Sequence, residues 1–148
     1  MALYTIGYEG LDRRRFLTHL AHHKVDVVAD VRKLPVSRKK GFSKSALKEM
    51  LDHENIEYLN FRDLGAPKEI REELYQSGDY SRFFRKYLQC IADKQDMLKA
   101  IHNLVTSGRN VSLLCFERNP EHCHRKVVAE QIKRLDGNGL EVKHIVPF

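Results

Sequence analysis

Apolar residues alternate along this chain between short continuous runs and longer stretches repeating at helical spacing, and the order of the two predicts the fold. Leu3 to Ile6 reads as a strand entering Gly7, and Asp12 to His23 as a helix with Phe16, Leu17 and Leu20 on one face. Val25 to Val31 is a valine-rich second strand ending at Arg32. Pro35, Gly41 and a group of basic residues then form a loop that Ser43 closes as the N-cap of a helix running to Glu54. Ile56 to Phe61 reads as a third strand, and Leu64-Gly65-Ala66-Pro67 as a loop with helix entry at Pro67. Residues from about 66 to 92 carry no strand pattern but hold Tyr75, Tyr80, Phe83, Phe84 and Tyr87, which predicts a helical insertion whose rings pack on the sheet edge or line a cleft. A helix over Asp93 to Ser107 stops at Gly108, and strand four follows from Val111. Asn119-Pro120 reads as a turn and Cys123 as the start of a helix carrying Val127, Val128, Ile132 and Leu135. Asp136-Gly137-Asn138-Gly139 turns the chain into a last strand, Glu141 to Val146.

The order βαβαβ, helices, βαβ predicts an α/β fold over residues 1–148: one domain with a mostly parallel sheet and helices on both faces, a Rossmann-like three-layer sandwich. Parallel strands all exit at one edge. Gly7-Tyr8-Glu9, Asp30 to Arg38, Arg62-Asp63 and Cys115 to Arg125 should therefore meet there, where ligand sites of such sheets form.

Composition narrows the class. At 148 residues the chain is long enough to bury roughly two-thirds of its unfolded surface without staples. The 3 cysteines are unequally spaced, and neither a signal core nor a run of ~18 apolar residues is present, so a reduced, cytoplasmic protein with no membrane partner is expected. Lys and Arg (26) exceed Asp and Glu (20) by 6, with the excess gathered in Arg32-Lys33 and Arg38-Lys39-Lys40. That cluster suits a polyanion such as nucleic acid, or is simply a solvated basic loop.

The densest chemistry lies in Cys115-Phe116-Glu117-Arg118-Asn119-Pro120-Glu121-His122-Cys123-His124-Arg125. Asp30 and Arg32 end strand two on one face with Val31 opposite, so they form either an ion pair or an anion grip with an attached base. Cys115, at the end of an apolar strand, is a buried small residue or a site residue. Cys123 beside His122, His124 and Arg125 at a helix start has the setting of a low-pKa thiol. No paired C-x-x-C or H-x-x-x-H spacing is present, and adjacent helical residues project about 100° apart, so no bound metal is expected. Glu117, two residues past Cys115, either faces the cleft or anchors Arg125.

As a set these residues resemble the Domain of Unknown Function 488 (DUF488) family: Thr5-Ile6-Gly7-Tyr8, then Asp30-Val31-Arg32 with Pro35, Ser37-Arg38 and Phe42, then Tyr58 and Leu64-Gly65, then Cys115-x-Glu117 and Cys123-His124-Arg125. The resemblance implies a compact α/β domain whose signature residues gather in one pocket. It implies no reaction and names no cofactor. The expectation is an enzyme acting on a phosphate-bearing substrate, a nucleotide or nucleic acid, with Asp30, Glu117, Cys123 and His124 catalytic and Tyr8, Arg32, Ser37, Arg38, Cys115 and Arg125 binding substrate. The alternatives are a non-catalytic nucleic-acid-binding module and a thiol or metal protein centred on Cys115 and Cys123.

Overall fold

Each apolar run becomes a strand and each helical repeat a helix in a computed structural model that describes residues 1–146. The strands are β1 (Ala2–Gly7), β2 (Val27–Asp30), β3 (Glu57–Asn60), β4 (Val111–Cys115) and β5 (Glu141–Ile145). They form one sheet in the order β3-β2-β4-β1-β5, and every pairing is parallel. Helices α1 (Arg13–His22) and α2 (Lys44–His53) pack on one face through Phe16, Leu20, Leu47 and Leu51. On the other face lie α3 (Lys68–Ser77), α4 (Tyr80–Cys90), α5 (Gln95–Thr106) and α6 (Arg125–Asp136). This is the three-layer α/β sandwich that the order of elements predicts. No helix among the described residues is long and apolar enough to cross a membrane.

Alternation along the strands divides the core. Leu3, Val27, Ala29, Val31, Val111 and Leu113 face α4, α5 and α6, while Ile6, Val28 and Leu114 face α1 and α2. Register then decides where the polar strand ends point. Asp30 is level with Leu114 and Cys115 is level with Gly7, so Asp30 leaves the sheet on the α1/α2 face and Cys115 on the opposite face. β4 lies between β1 and β2, and it leads to a helix on the other side of the sheet from theirs. Its carboxyl end is thus a topological switch point, the place where diverging connections leave a crevice.

Local caps fix several boundaries. The Asp12 carboxylate accepts the Arg15 N–H at 2.8 Å and starts α1. Ser43 precedes α2 as expected, but its hydroxyl turns away from the helix: it accepts the Ser37 N–H (2.9 Å) and donates to the Ser37 carbonyl (3.1 Å), fastening the two ends of the basic loop. The insertion is broken into α3 and α4 by Gly78, in the left-handed conformation at φ 68°, and Asp79 caps the second piece. The last helix corrects the sequence reading. Pro120–His122 forms a separate turn capped by Asn119, Cys123 is extended (φ −137°, ψ 142°), and α6 begins only at Arg125.

Two glycines allow backbone to touch backbone beside the crevice. A Cβ on Gly7 would lie 1.7 Å from the Glu117 carbonyl oxygen, and one on Gly65 2.2 Å from the Lys33 backbone. Neither neighbour is a side-chain tip that can swing away. Gly7→Ala and Gly65→Ala should each cost at least the ~3 kcal/mol at the upper end of overpacking penalties. Urea melts of the two variants against the parent chain measure this, and near-parent midpoints would show that the segments separate easily.

Candidate functional site

One half of the site grows from the end of β2. Asp30 is 0% exposed, and a carboxylate so placed requires donors and a countercharge. Arg32 supplies three N–H groups, from its backbone N (3.1 Å) and Nε (2.9 Å) to Oδ1 and from Nη2 (2.7 Å) to Oδ2. The Tyr58 hydroxyl donates to Oδ2 at 2.6 Å. Arg32 Nη1 donates onward to the Tyr8 hydroxyl (3.2 Å) and the Phe42 carbonyl (2.6 Å), and the Tyr8 ring stacks on Phe42 with centroids 4.6 Å apart. Burial disfavours the charge on Arg32, but the bonds and charge of Asp30 outweigh it and hold the guanidinium protonated. Burial, reinforced by the bond to Asp30, pushes the Tyr58 phenol up and keeps it a donor.

The other half grows from β4 and the start of α6. Cys115, Cys123 and His124 are buried, with Cys115 Sγ, Cys123 Sγ and a ring nitrogen of His124 all within 4.8 Å of one another. His124 Nε2 lies 2.7 Å from the Val31 carbonyl, which only accepts, so Nε2 carries a proton and Nδ1 is turned to the thiols, 3.7 Å from Cys115 and 3.9 Å from Cys123. Adjacent residues converge here because Cys123 is extended rather than helical, which removes the premise for expecting them to diverge. Burial pushes Cys123 up, yet the bond from Cys115 and the charge on His124 win and hold it well below the ordinary thiol value. The bond to Cys123, with burial, drives Cys115 well above it. Burial pulls His124 down, but the Cys123 charge raises it past its usual value. Glu117, which accepts from Cys115 Sγ at 3.5 Å, is pushed up to about 7 by burial and then by the Cys123 charge.

Arg125, 0% exposed, locks the second half to the sheet. Its Nε donates to the Thr5 hydroxyl (3.2 Å), Nη1 to the Glu117 carbonyl and Nη2 to the Arg118 carbonyl (3.2 Å). It therefore grips backbone, neither pairing with the Glu117 carboxylate nor reaching into open space.

Between the halves lies a cleft of about 690 Å³ at the carboxyl edge of the sheet. Of the residues singled out from sequence, Tyr8, Arg32, Ser37, Arg38, Cys115, Glu117 and His124 line it, while Asp30, Cys123 and Arg125 stand directly behind. Four cations border it, Arg32, Lys33, Arg38 and Arg71, against one carboxylate, Glu117. Arg71 was missed: its Nε donates to the Ala66 carbonyl at 3.1 Å, and its Nη groups have no hydrogen-bond partner among the described residues. The signal for it was its spacing to Tyr75, four residues on and so on the same helical face. Lys39 is drawn away instead, donating to the Leu11 carbonyl at 2.7 Å. Leu34, Val36, Tyr75 and Phe116, half of the large apolar side chains exposed among the described residues, also border this cleft.

The family model described as Domain of unknown function DUF488 matches residues 12–132, most of the chain. No curated protein and no solved structure matches it.

Removing members of the Asp30 network should give graded losses. Arg32→Ala strands a buried carboxylate and should cost about 3–5 kcal/mol, whereas Tyr58→Phe removes one neutral donor and should cost about 1–3 kcal/mol. Chemical denaturation of both variants tests the order. Equal losses would mean that water reaches Asp30.

Proposed function

The chain belongs to the family described as Domain of unknown function DUF488, whose name carries no reaction, and from the chemistry of the cleft we propose that the protein is an enzyme acting on a phosphate-bearing substrate, a nucleotide or nucleic acid. The observation that carries this reading is the meeting of two unlike surfaces at one opening. Lys33, Arg38 and the Nη groups of Arg71 are cations without partners among the described residues, and Tyr75 (75% exposed) and Phe116 (43% exposed) are rings left in solvent beside them. Cations satisfy phosphate oxygens, and flat apolar rings satisfy a base. A volume of about 690 Å³ accommodates a mononucleotide or the end of a strand.

The roles follow from position. Arg38, Lys33 and Arg71 hold phosphate, with Arg32 adding its one remaining Nη2 N–H. Asp30 orients Arg32, since four donors already occupy its oxygens. Acid or base chemistry then falls to Glu117, the carboxylate that faces the cleft. Cys123, His124 and Arg125 hold the floor in place, and Ser37 holds the loop that presents Arg38.

Calorimetric titration with nucleoside phosphates, inorganic pyrophosphate and short single-stranded DNA and RNA tests the reading. Arg38→Ala and Arg71→Ala should each weaken phosphate-bearing ligands about 10- to 100-fold, the worth of one charged hydrogen bond or more. Tyr75→Ala should weaken the base-bearing ligands and leave pyrophosphate unchanged. Affinities unmoved by all three substitutions would place the substrate elsewhere.

A further inference from the structure

The phosphate reading assigns no chemistry of their own to the two thiols and the imidazole at the floor of the cleft. The geometry points to a site there for a soft divalent ion of the zinc class, held by Cys115 Sγ, Cys123 Sγ and His124 Nδ1, with a fourth position open to the cleft beside Glu117.

Distance is the first argument. Zinc–sulfur bonds of about 2.3 Å and zinc–nitrogen bonds of about 2.0–2.1 Å at tetrahedral angles set ligand atoms roughly 3.5–3.8 Å apart. Nδ1 stands 3.7 and 3.9 Å from the two sulfurs, and no pair of the three atoms exceeds 4.8 Å. The two nitrogen–sulfur spacings already match, and the sulfur pair has at most about an ångström to close around an ion.

Orientation is the second. A ligating imidazole is ordinarily fixed by a hydrogen bond from its other nitrogen to a carbonyl or carboxylate. The Val31 carbonyl provides that bond at 2.7 Å and leaves the lone pair of neutral Nδ1 facing the sulfurs. Charge is the third: two thiolates and a neutral imidazole balance a 2+ ion, so the loaded site is neutral in buried surroundings. Thiolate and imidazole also select zinc over magnesium or calcium, which require oxygen ligands.

Access completes the case. Cys115 and His124 line the cleft, so an ion has a way in, while Cys123 closes the rear. Three protein ligands and one open position define a site that takes water or a substrate atom, unlike a closed structural site. The link to substrate rests on the reading of the cleft given above; the binding of the ion does not.

The full chain, purified under reducing conditions, should be analysed for metal and, after chelation, titrated with Co²⁺ and then Zn²⁺. The expected result is saturation at one ion per chain, a thiolate-to-cobalt charge-transfer band, and loss of that band as zinc displaces cobalt. Cys115→Ser, Cys123→Ser and His124→Gln should each weaken binding by more than the 10- to 100-fold typical of outer-shell changes, and Cys90→Ser should leave it unaltered. Zinc should also protect two of the three thiols of the parent chain from alkylation, a readout that needs no variant to fold. Absence of the charge-transfer band, full affinity in Cys123→Ser, or a Cys115–Cys123 disulfide that persists in reductant would each overturn the proposal. Ion binding without nucleotide binding would sink the substrate reading alone, and nucleotide binding to a chain that takes up no cobalt would sink the metal site alone.

Discussion

The carboxylate of Asp30 is buried at the end of a central strand, and the rest of the site is arranged around the need to satisfy it. A charge in that position costs several kcal/mol unless paired and fully hydrogen-bonded. The donors come from two separate stretches of chain, Arg32 on the following loop and Tyr58 on β3, and Arg32 in turn donates to the Tyr8 hydroxyl after β1. The Phe42 carbonyl draws in the base of α2 as well. One buried charge thereby ties β3 to the segments that leave β1 and β2, and the basic loop is strung between fixed points. The Arg32 guanidinium is held rigid, while Lys33, Arg38 and the Nη groups of Arg71 have no partners among the described residues.

A second constraint, made of backbone, fixes the opposite wall. The Glu117 carbonyl sits in a space that only glycine at position 7 permits and accepts from Arg125. Thr5 holds the other end of Arg125. The segment after β4 therefore takes its starting position from β1 and α6. Thr5, Gly7 and Tyr8, close together in sequence, serve three purposes: a hydrogen-bond partner for an arginine, a clearance for a carbonyl, and an aromatic partner for Phe42.

Much of this was legible in the sequence because its causes are local. Period-two and period-3.6 patterns gave the strands, the helices and the parallel sheet, and the placement of Asp30 and Arg32 on one face followed from alternation alone. Asp30 and Cys115 standing on opposite faces was not legible, since it depends on the pairing of Asp30 with Leu114. The displaced start of α6 was hidden for a different reason. Asn119 and Pro120 read as a simple turn, whereas Asn119 caps a turn of its own that uses up Pro120–His122 and leaves Cys123 extended. Arg71 reached the cleft by the packing of α3, a contact distant in sequence.

Val31 stands between Asp30 and Arg32, and its carbonyl receives the ring N–H of His124. The strand end that aims the guanidinium toward one side of the sheet thus also aims the imidazole that meets the thiols on the other. Neither wall has an independent hinge at this point. The peptide group between Val31 and Arg32 therefore carries the guanidinium at one end and, through its carbonyl, sets the angle of His124 at the other, so the two walls share one piece of backbone and a single hydrogen bond across the sheet.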